Sequence, residues 1–194
     1  MPLQSPFVTE TFKAYISDVI TSHLSFAVML IDEYTQDGPS GRIEVKIKEG
    51  GPAAARNLSG YFLVTDRAPG LYTVSIEADY YFAAEQVVNT PTLDPKAPVV
   101  LIVLKPNPRY PFPAGATLLR GVVVNSSPVA GAAISVTGKT ITTNSDQQGE
   151  FVLYFRGIKT EAITVVIQKG SDTKSVGATI EEGKTVSAGR IPFP

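Results

Sequence analysis

Apolar and polar residues alternate with a period of two along much of the chain. Ile43, Val45 and Ile47 fall on one side, with Arg42, Glu44, Lys46 and Lys48 on the other. Tyr72, Val74, Ile76 and Ala78 alternate with Thr73, Ser75 and Glu77, and the pattern returns in Phe151, Leu153 and Phe155 and in Ile163, Val165 and Ile167. Strands of this kind bury one face and wet the other, the habit of antiparallel sheets. The run Val99–Leu104 lacks the alternation and reads as a strand buried on both faces. Sixteen glycines and fifteen prolines supply turns between the strands. The apolar stretches are rich in branched and aromatic residues, which suit a pleated, half-buried surface. The pattern predicts an all-β protein.

The chain also repeats itself. A shift of 89 positions carries Pro39 onto Pro128, Gly60 onto Gly149, Phe62 onto Phe151 and Arg67 onto Arg156. Ile43, Val45 and Ile47 meet Ala132, Ile134 and Val136, and Val74 and Ile76 meet Ile163 and Val165. A shared in-strand phase across three strands is a repeat signal, here of two copies each large enough for its own core. Four prolines between Pro106 and Pro113 predict a stiff, extended connector of up to about 25 Å, pinned by Tyr110 and Phe112. The expected organisation is an N-terminal segment over 1–21, a first sandwich over 22–105, a linker over 106–114 and a second sandwich over 115–194. In the N-terminal segment, Phe12, Tyr15, Ile16, Val19 and Ile20 share one side of a helix, with Thr9 as N-cap and Glu10 in the first turn. The alternatives are a short helix or docking arm, or a strand or coil packed on the first sandwich.

Three stretches of the second half carry a family pattern: Gly121-Val122-Val123-Val124, Pro128-Val129-Ala130-Gly131-Ala132-Ala133-Ile134-Ser135-Val136, and Thr143-Asn144-Ser145-Asp146-Gln147-Gln148-Gly149-Glu150-Phe151. They resemble the carboxypeptidase regulatory-like domain, a transthyretin-like (prealbumin-like) β-sandwich. The pattern there is a G-x-V strand, a P-x-x-G-A-x-V strand and a T-D-x-x-G-x-F hairpin. The first half is similar more loosely. It has Asn57-Leu58-Ser59-Gly60-Tyr61-Phe62 in place of that hairpin and keeps Ala68-Pro69-Gly70-Leu71-Tyr72, like the family's P-G-x-Y turn, which the second half lacks. The resemblance implies two tandem immunoglobulin-like/prealbumin-like antiparallel β-sandwiches joined by the Pro-rich linker. It implies an accessory, binding or assembly module and no catalytic domain.

The chemistry of the residues agrees. There is one histidine, His23, so a multi-histidine zinc site or a Ser-His-Asp triad has little to draw on, and His23 reads as a cap, turn or surface residue. No cysteine is present, which excludes disulfides and thiolate metal sites and fits a reducing compartment. Asp32, Glu33 and Asp37, and Glu181 and Glu182, read as solvated turn residues, and Asp146 as an Asx-turn rather than part of a calcium loop. Phosphate-cradling glycine motifs are absent. The expectation is no enzyme, no cofactor and no metal site. The net charge is −1 without a Lys/Arg block, so no nucleic-acid footprint is visible. No apolar run reaches the ~20 residues of a membrane helix. With no signal peptide visible, the expected compartment is the cytoplasm.

Aromatic residues give the one binding hint. Adjacent strand residues face opposite sides, so Tyr80 and Tyr81 cannot both enter one core. Tyr34, Tyr80, Tyr81, Tyr110 and Phe112 are therefore the candidate binding residues. The expected function is a non-catalytic structural or protein-binding module, a rigid spacer or adaptor whose partner is another protein or a second copy. The alternative is a glycan or cell-wall polymer binding module using exposed tyrosines. If these aromatics converge on one exposed strip, the glycan reading gains; if they are buried, it falls.

Overall fold

The computed structural model describes residues 21–194 and two short strands before them, Phe7–Val8 (β1) and Lys13–Ala14 (β2), which pair antiparallel. The helix expected from the spacing of Phe12 to Ile20 is thus not formed at Lys13–Ala14; the rest of that expectation lies outside the described residues. Over so few residues, cross-strand pairing competes well with a helix, whose first turn fixes several dihedrals before gaining a bond. Among the described residues there is no α-helix, and Thr90–Thr92 makes one 3₁₀ turn.

Seven strands follow in the first half: β3 (Leu24–Asp32), β4 (Ile43–Ile47), β5 (Ala55–Arg56), β6 (Phe62–Thr65), β7 (Leu71–Ala78), β8 (Ala84–Asn89) and β9 (Val99–Leu104). Seven more fill the second: β10 (Thr117–Val124), β11 (Ala133–Val136), β12 (Thr142–Asn144), β13 (Glu150–Phe155), β14 (Thr160–Lys169), β15 (Asp172–Glu181) and β16 (Thr185–Pro192). The first set forms sheets β5-β6-β3-β9 and β4-β7-β8; the second forms β13-β10-β16 and β12-β11-β14-β15. In both, the first strand pairs antiparallel with the fourth and parallel with the last. This is an immunoglobulin-like/prealbumin-like β-sandwich order. The third strand differs: β5 lies beside β6, whereas β12 has crossed to the other sheet, beside β11.

Each pair of sheets encloses its own core. Phe26, Val28, Val45, Phe62, Val74 and Ile76 centre the first, and Leu119, Ile134, Phe151, Leu153, Val165 and Ile167 the second. The inward residues are those of the period-two pattern. The equivalent hairpin turns share their hydrogen bonds. Asp146 Oδ1 accepts from the Glu150 N–H at 2.9 Å, and Asn57 Oδ1 accepts from the Tyr61 N–H at 2.9 Å. In each turn a glycine, Gly149 or Gly60, has positive φ (74° and 89°) and donates its N–H back to the Asp or Asn carbonyl. A Cβ on Gly149 would lie 2.4 Å from the Val123 carbonyl oxygen, so the turn needs glycine for space as well as for φ.

β9 departs from its sequence reading. Ile102 and Leu104 enter the core, but Val99, Leu101 and Val103 are 42%, 56% and 50% exposed. β9 is an edge strand with no second sheet over its outer face among the described residues. Its missing alternation therefore reflects an apolar outer face and not a central position.

Candidate functional site

The chemically densest place in the molecule is where the two sandwiches meet. β9 runs on into the proline segment, which lies beside Tyr80–Phe82 as far as Asn107 and then turns at Pro108–Arg109, where the Tyr110 N–H donates to the Asn107 carbonyl at 3.0 Å, so the connector is not the straight extended one expected. Tyr81 and Pro106 form an antiparallel bridge, and the Phe82 N–H donates to the Lys105 carbonyl at 3.0 Å. The Asn107 side-chain amide donates to the carbonyls of Asp79 and Tyr81, both at 3.1 Å. Prolines that cannot donate to a ladder are tolerated at such an edge. The segment is fastened along its length, and it carries Tyr110 and Phe112 into the junction.

Asp32, at the end of β3, lies below this segment. It was expected in a solvated turn, yet it is 2% exposed. Its Oδ2 accepts from the Tyr81 hydroxyl at 2.9 Å and from the Tyr110 hydroxyl at 2.5 Å. Its Oδ1 accepts from the Tyr34 N–H at 2.7 Å, with the Thr35 N–H further off at 3.3 Å. The Tyr81 oxygen in turn accepts from the Ser40 N–H at 3.1 Å. A carboxylate offers about four lone-pair sites, and these donors fill them. This satisfaction is what allows a charged residue type into the interior. Burial pushes the Tyr81 and Tyr110 phenols above their ordinary value, and the neighbouring Asp32 carboxylate adds to the shift by accepting their protons and by its charge.

An aromatic cluster grows from that anchor across the junction. Tyr81 and Tyr110 meet edge to face at 5.6 Å, Tyr110 and Phe112 are 4.6 Å apart, and Tyr34 meets Phe112 edge to face at 5.0 Å. From the second sandwich, Tyr154 on β13 meets Tyr34 edge to face at 5.1 Å. Arg156 lies 5.2 Å over the Tyr34 ring, and Arg120 lies 5.8 Å over Phe112 while donating to the Pro108 carbonyl at 2.7 Å. Burial pushes the Tyr154 phenol up as well, reinforced by Glu33, whose carbonyl its hydroxyl approaches at 3.4 Å. Lys105 donates to the Thr142 hydroxyl at 2.9 Å beside a small cleft of about 170 Å³ that also takes in Glu33, Pro106 and Thr143. The Thr143 hydroxyl is buried without a hydrogen-bond partner.

The sequence-predicted aromatics are thus mostly brought together, but inward. Tyr81 and Tyr110 are 2% and 6% exposed, and Tyr34 and Phe112 are half-buried in the same cluster. Tyr80 is apart, its ring lying over Gly41, where a Cβ would sit 2.6 Å from the ring at a φ of 84°. Buried rings are no platform for an external ligand. Sequence reasoning missed Asp32, Tyr154, Arg156 and Arg120; the one signal for Arg156 was its alignment with Arg67, which also lies over a tyrosine, Tyr72. His23 is surface-exposed, its N–H donating to Asp66 Oδ1 at 2.8 Å. Among the described residues no three His, Cys, Asp or Glu side chains cluster to hold a metal, and no helix is long and apolar enough to cross a membrane.

No protein-family model and no curated protein matches the chain. Solved structures do. The minor pilin GBS52 of Streptococcus agalactiae is 12% identical, with 87% of this chain and 95% of that chain covered at a TM-score of 0.33. A variant of the shaft pilin SpaA of Lactobacillus rhamnosus GG is 13% identical, with 87% and 97% covered at 0.31. A chain of a type II cohesin–X-dockerin complex from Acetivibrio cellulolyticus is 18% identical over 40% of this chain, at 0.33, and only 56% of its own length is spanned. At such TM-scores the likeness decides nothing; the sandwich assignment rests on the strand order and the two cores.

Proposed function

We propose that this protein is a non-catalytic structural or protein-binding module, a rigid spacer or adaptor that holds its two sandwiches at one fixed angle within a larger assembly. The observation that carries this reading is the junction itself: a buried carboxylate, two tyrosines from different segments and a cluster of rings from both sandwiches. A flexible tether would not need a satisfied buried Asp32, and an interdomain contact built on aromatic rings loses several favourable contacts if the domains swing. The shared turn hydrogen bonds and strand order support two tandem copies of a carboxypeptidase regulatory-like domain. The partner is another protein or a second copy, with no cofactor and no reaction. The glycan alternative needs exposed tyrosines, and the burial of Tyr81 and Tyr110 counts against it.

The test is a distance distribution. The chain has no cysteine, so Leu58→Cys and Thr173→Cys, both at exposed sites in different sandwiches, place two spin labels without background. One narrow distance is expected. A broad distribution overturns the spacer reading, and turnover of any substrate by the purified chain overturns the non-catalytic one.

A further inference from the structure

β12 and β13 are the end strands of the two sheets of the second sandwich, and the turn at Asp146–Gly149 joins them. The sandwich is open along this side, and the linker closes it. Lys105 and Pro106, with Glu33 just after β3, complete the small cleft of about 170 Å³ whose other walls come from β12, β13 and the residues before β12. Thr143 lines this cleft, facing inward beside its cross-strand partner Ile134. It is 4% exposed, yet its hydroxyl has no hydrogen-bond partner. Buried polar groups are paired as a rule, so an orphan in the wall of a cleft points to something bound there. The repeat itself does not demand hydroxyls: 89 residues earlier, the positions matching Thr142 and Thr143 hold Ala53 and Ala54.

We propose that this cleft binds a small aliphatic monocarboxylate, with Lys105, Thr142 and Thr143 as its donors. Lys105 Nζ donates to the Thr142 hydroxyl at 2.9 Å, which leaves the ammonium two further N–H groups. The Thr142 oxygen accepts in that bond, so its own proton is free for a ligand. The Thr143 hydroxyl is the third donor. Three donors, one of them cationic, suit a carboxylate, whose two oxygens accept about four hydrogen bonds. Ile141, Val152 and Leu153 give an apolar wall for a short hydrocarbon tail. Volume sets the size: at about 30 Å³ per water, the cleft has room for about five waters or for one acid of about four to six heavy atoms. Glu33 sets the charge. It lines the same cleft, and its carboxylate adds to burial in raising the Tyr154 phenol, so a second negative charge on the ligand is disfavoured. The cleft needs both sandwiches in contact, so this inference rests on the spacer reading of the junction.

An amide NMR titration of the full chain with sodium butyrate tests it, with n-butanol and sodium chloride as the uncharged and the ionic control. Saturable shifts at Thr142, Thr143 and Tyr154 are expected for butyrate alone. Thr143→Val, which keeps the shape and removes the orphan hydroxyl, and Lys105→Met are each expected to weaken binding about fivefold or more. Lys96→Met, at an exposed cation that does not line the cleft, is expected to leave it unchanged. Butyrate that acts no differently from chloride means that the cleft holds water only, and overturns the inference. Equal shifts with butanol overturn it too, as does an affinity indifferent to both Thr143→Val and Lys105→Met. The spin-labelled pair at Leu58→Cys and Thr173→Cys, measured separately, keeps the two readings apart. A narrow distance without butyrate binding overturns this inference alone; a broad distance without binding overturns both.

Discussion

Asp32 shows how a charged residue type enters this protein. Its desolvation is offset by the hydroxyls of Tyr81 and Tyr110 and by the backbone N–H of Tyr34. Removing one partner leaves the others buried and unpaired, which is worse than losing one bond. Asp32→Ala is therefore expected to lower unfolding free energy by roughly 2–4 kcal/mol, and Tyr110→Phe, which deletes one donor to a charged acceptor, by about 1.5–3 kcal/mol. Urea denaturation of both variants checks the order. The phenols also fix a pH dependence. Tyr81, Tyr110 and Tyr154 have values raised above the ordinary 10.0, chiefly by burial. The folded state thus holds these protons more tightly than the unfolded state. Their contribution to stability is complete below about pH 10 and drains away as the pH rises through the folded values. A melting temperature that is flat on these groups' account at neutral pH and falls above about pH 10, together with late-rising tyrosinate absorbance, is the expected result.

The elements are set by small residues as much as by large ones. Gly121 on β10 faces the Phe151 ring, where a Cβ would stand 2.7 Å from two ring carbons. Gly121→Ala should push Phe151 aside and cost about 1–3 kcal/mol, the usual range for overpacking, while the conservative exchange Val123→Ile elsewhere on the strand tests core volume alone. Gly149→Ala combines a φ of 74° with the close Val123 carbonyl and should cost about as much through the turn itself. Thermal melts with near-unchanged far-ultraviolet spectra below the transition would show that the strands still form. Gly149 was legible in the sequence as part of the T-D-x-x-G-x-F stretch, because turn chemistry is a local demand; Gly121 stood in the G-x-V stretch, but the ring it makes room for, Phe151, comes from the paired strand β13 and only the fold brings it there. The switch of the third strand from β6's side to β11's was not legible, since two or three residues of strand sequence fit either edge.

At the scale of the whole molecule, the junction couples two cores that are otherwise separate. The rings of Tyr34, Phe112 and Tyr154 meet within 5.0–6.0 Å of one another. Tyr154→Ala should remove that coupling without touching either core, and Phe112→Ala should remove it while also trimming the edge of the first core, against which Phe112 packs. Calorimetry is expected to show one transition for the parent chain and two resolved transitions for either variant. A single unchanged transition in both variants would mean that the rings do not carry the coupling.

The sequence alone determined the class of fold, the two cores and the hairpin turns, because each follows from local rules: a period of two, a branched or aromatic inward residue, a glycine where φ is positive. Its missing cysteine also ruled out disulfides and thiolate metal ligands. Tertiary structure decided everything that depends on which distant residues meet. It turned Tyr81 and Tyr110 inward, took Asp32 from an expected solvated turn to the centre of a hydrogen-bonded anchor, and set Tyr154 and Arg156 against Tyr34. It also left Val99, Leu101 and Val103 on an open face, although their sequence reads like a strand buried on both sides. Hydrophobicity records that a side chain is suited to burial; only the arrangement of the sheets says whether anything lies against it.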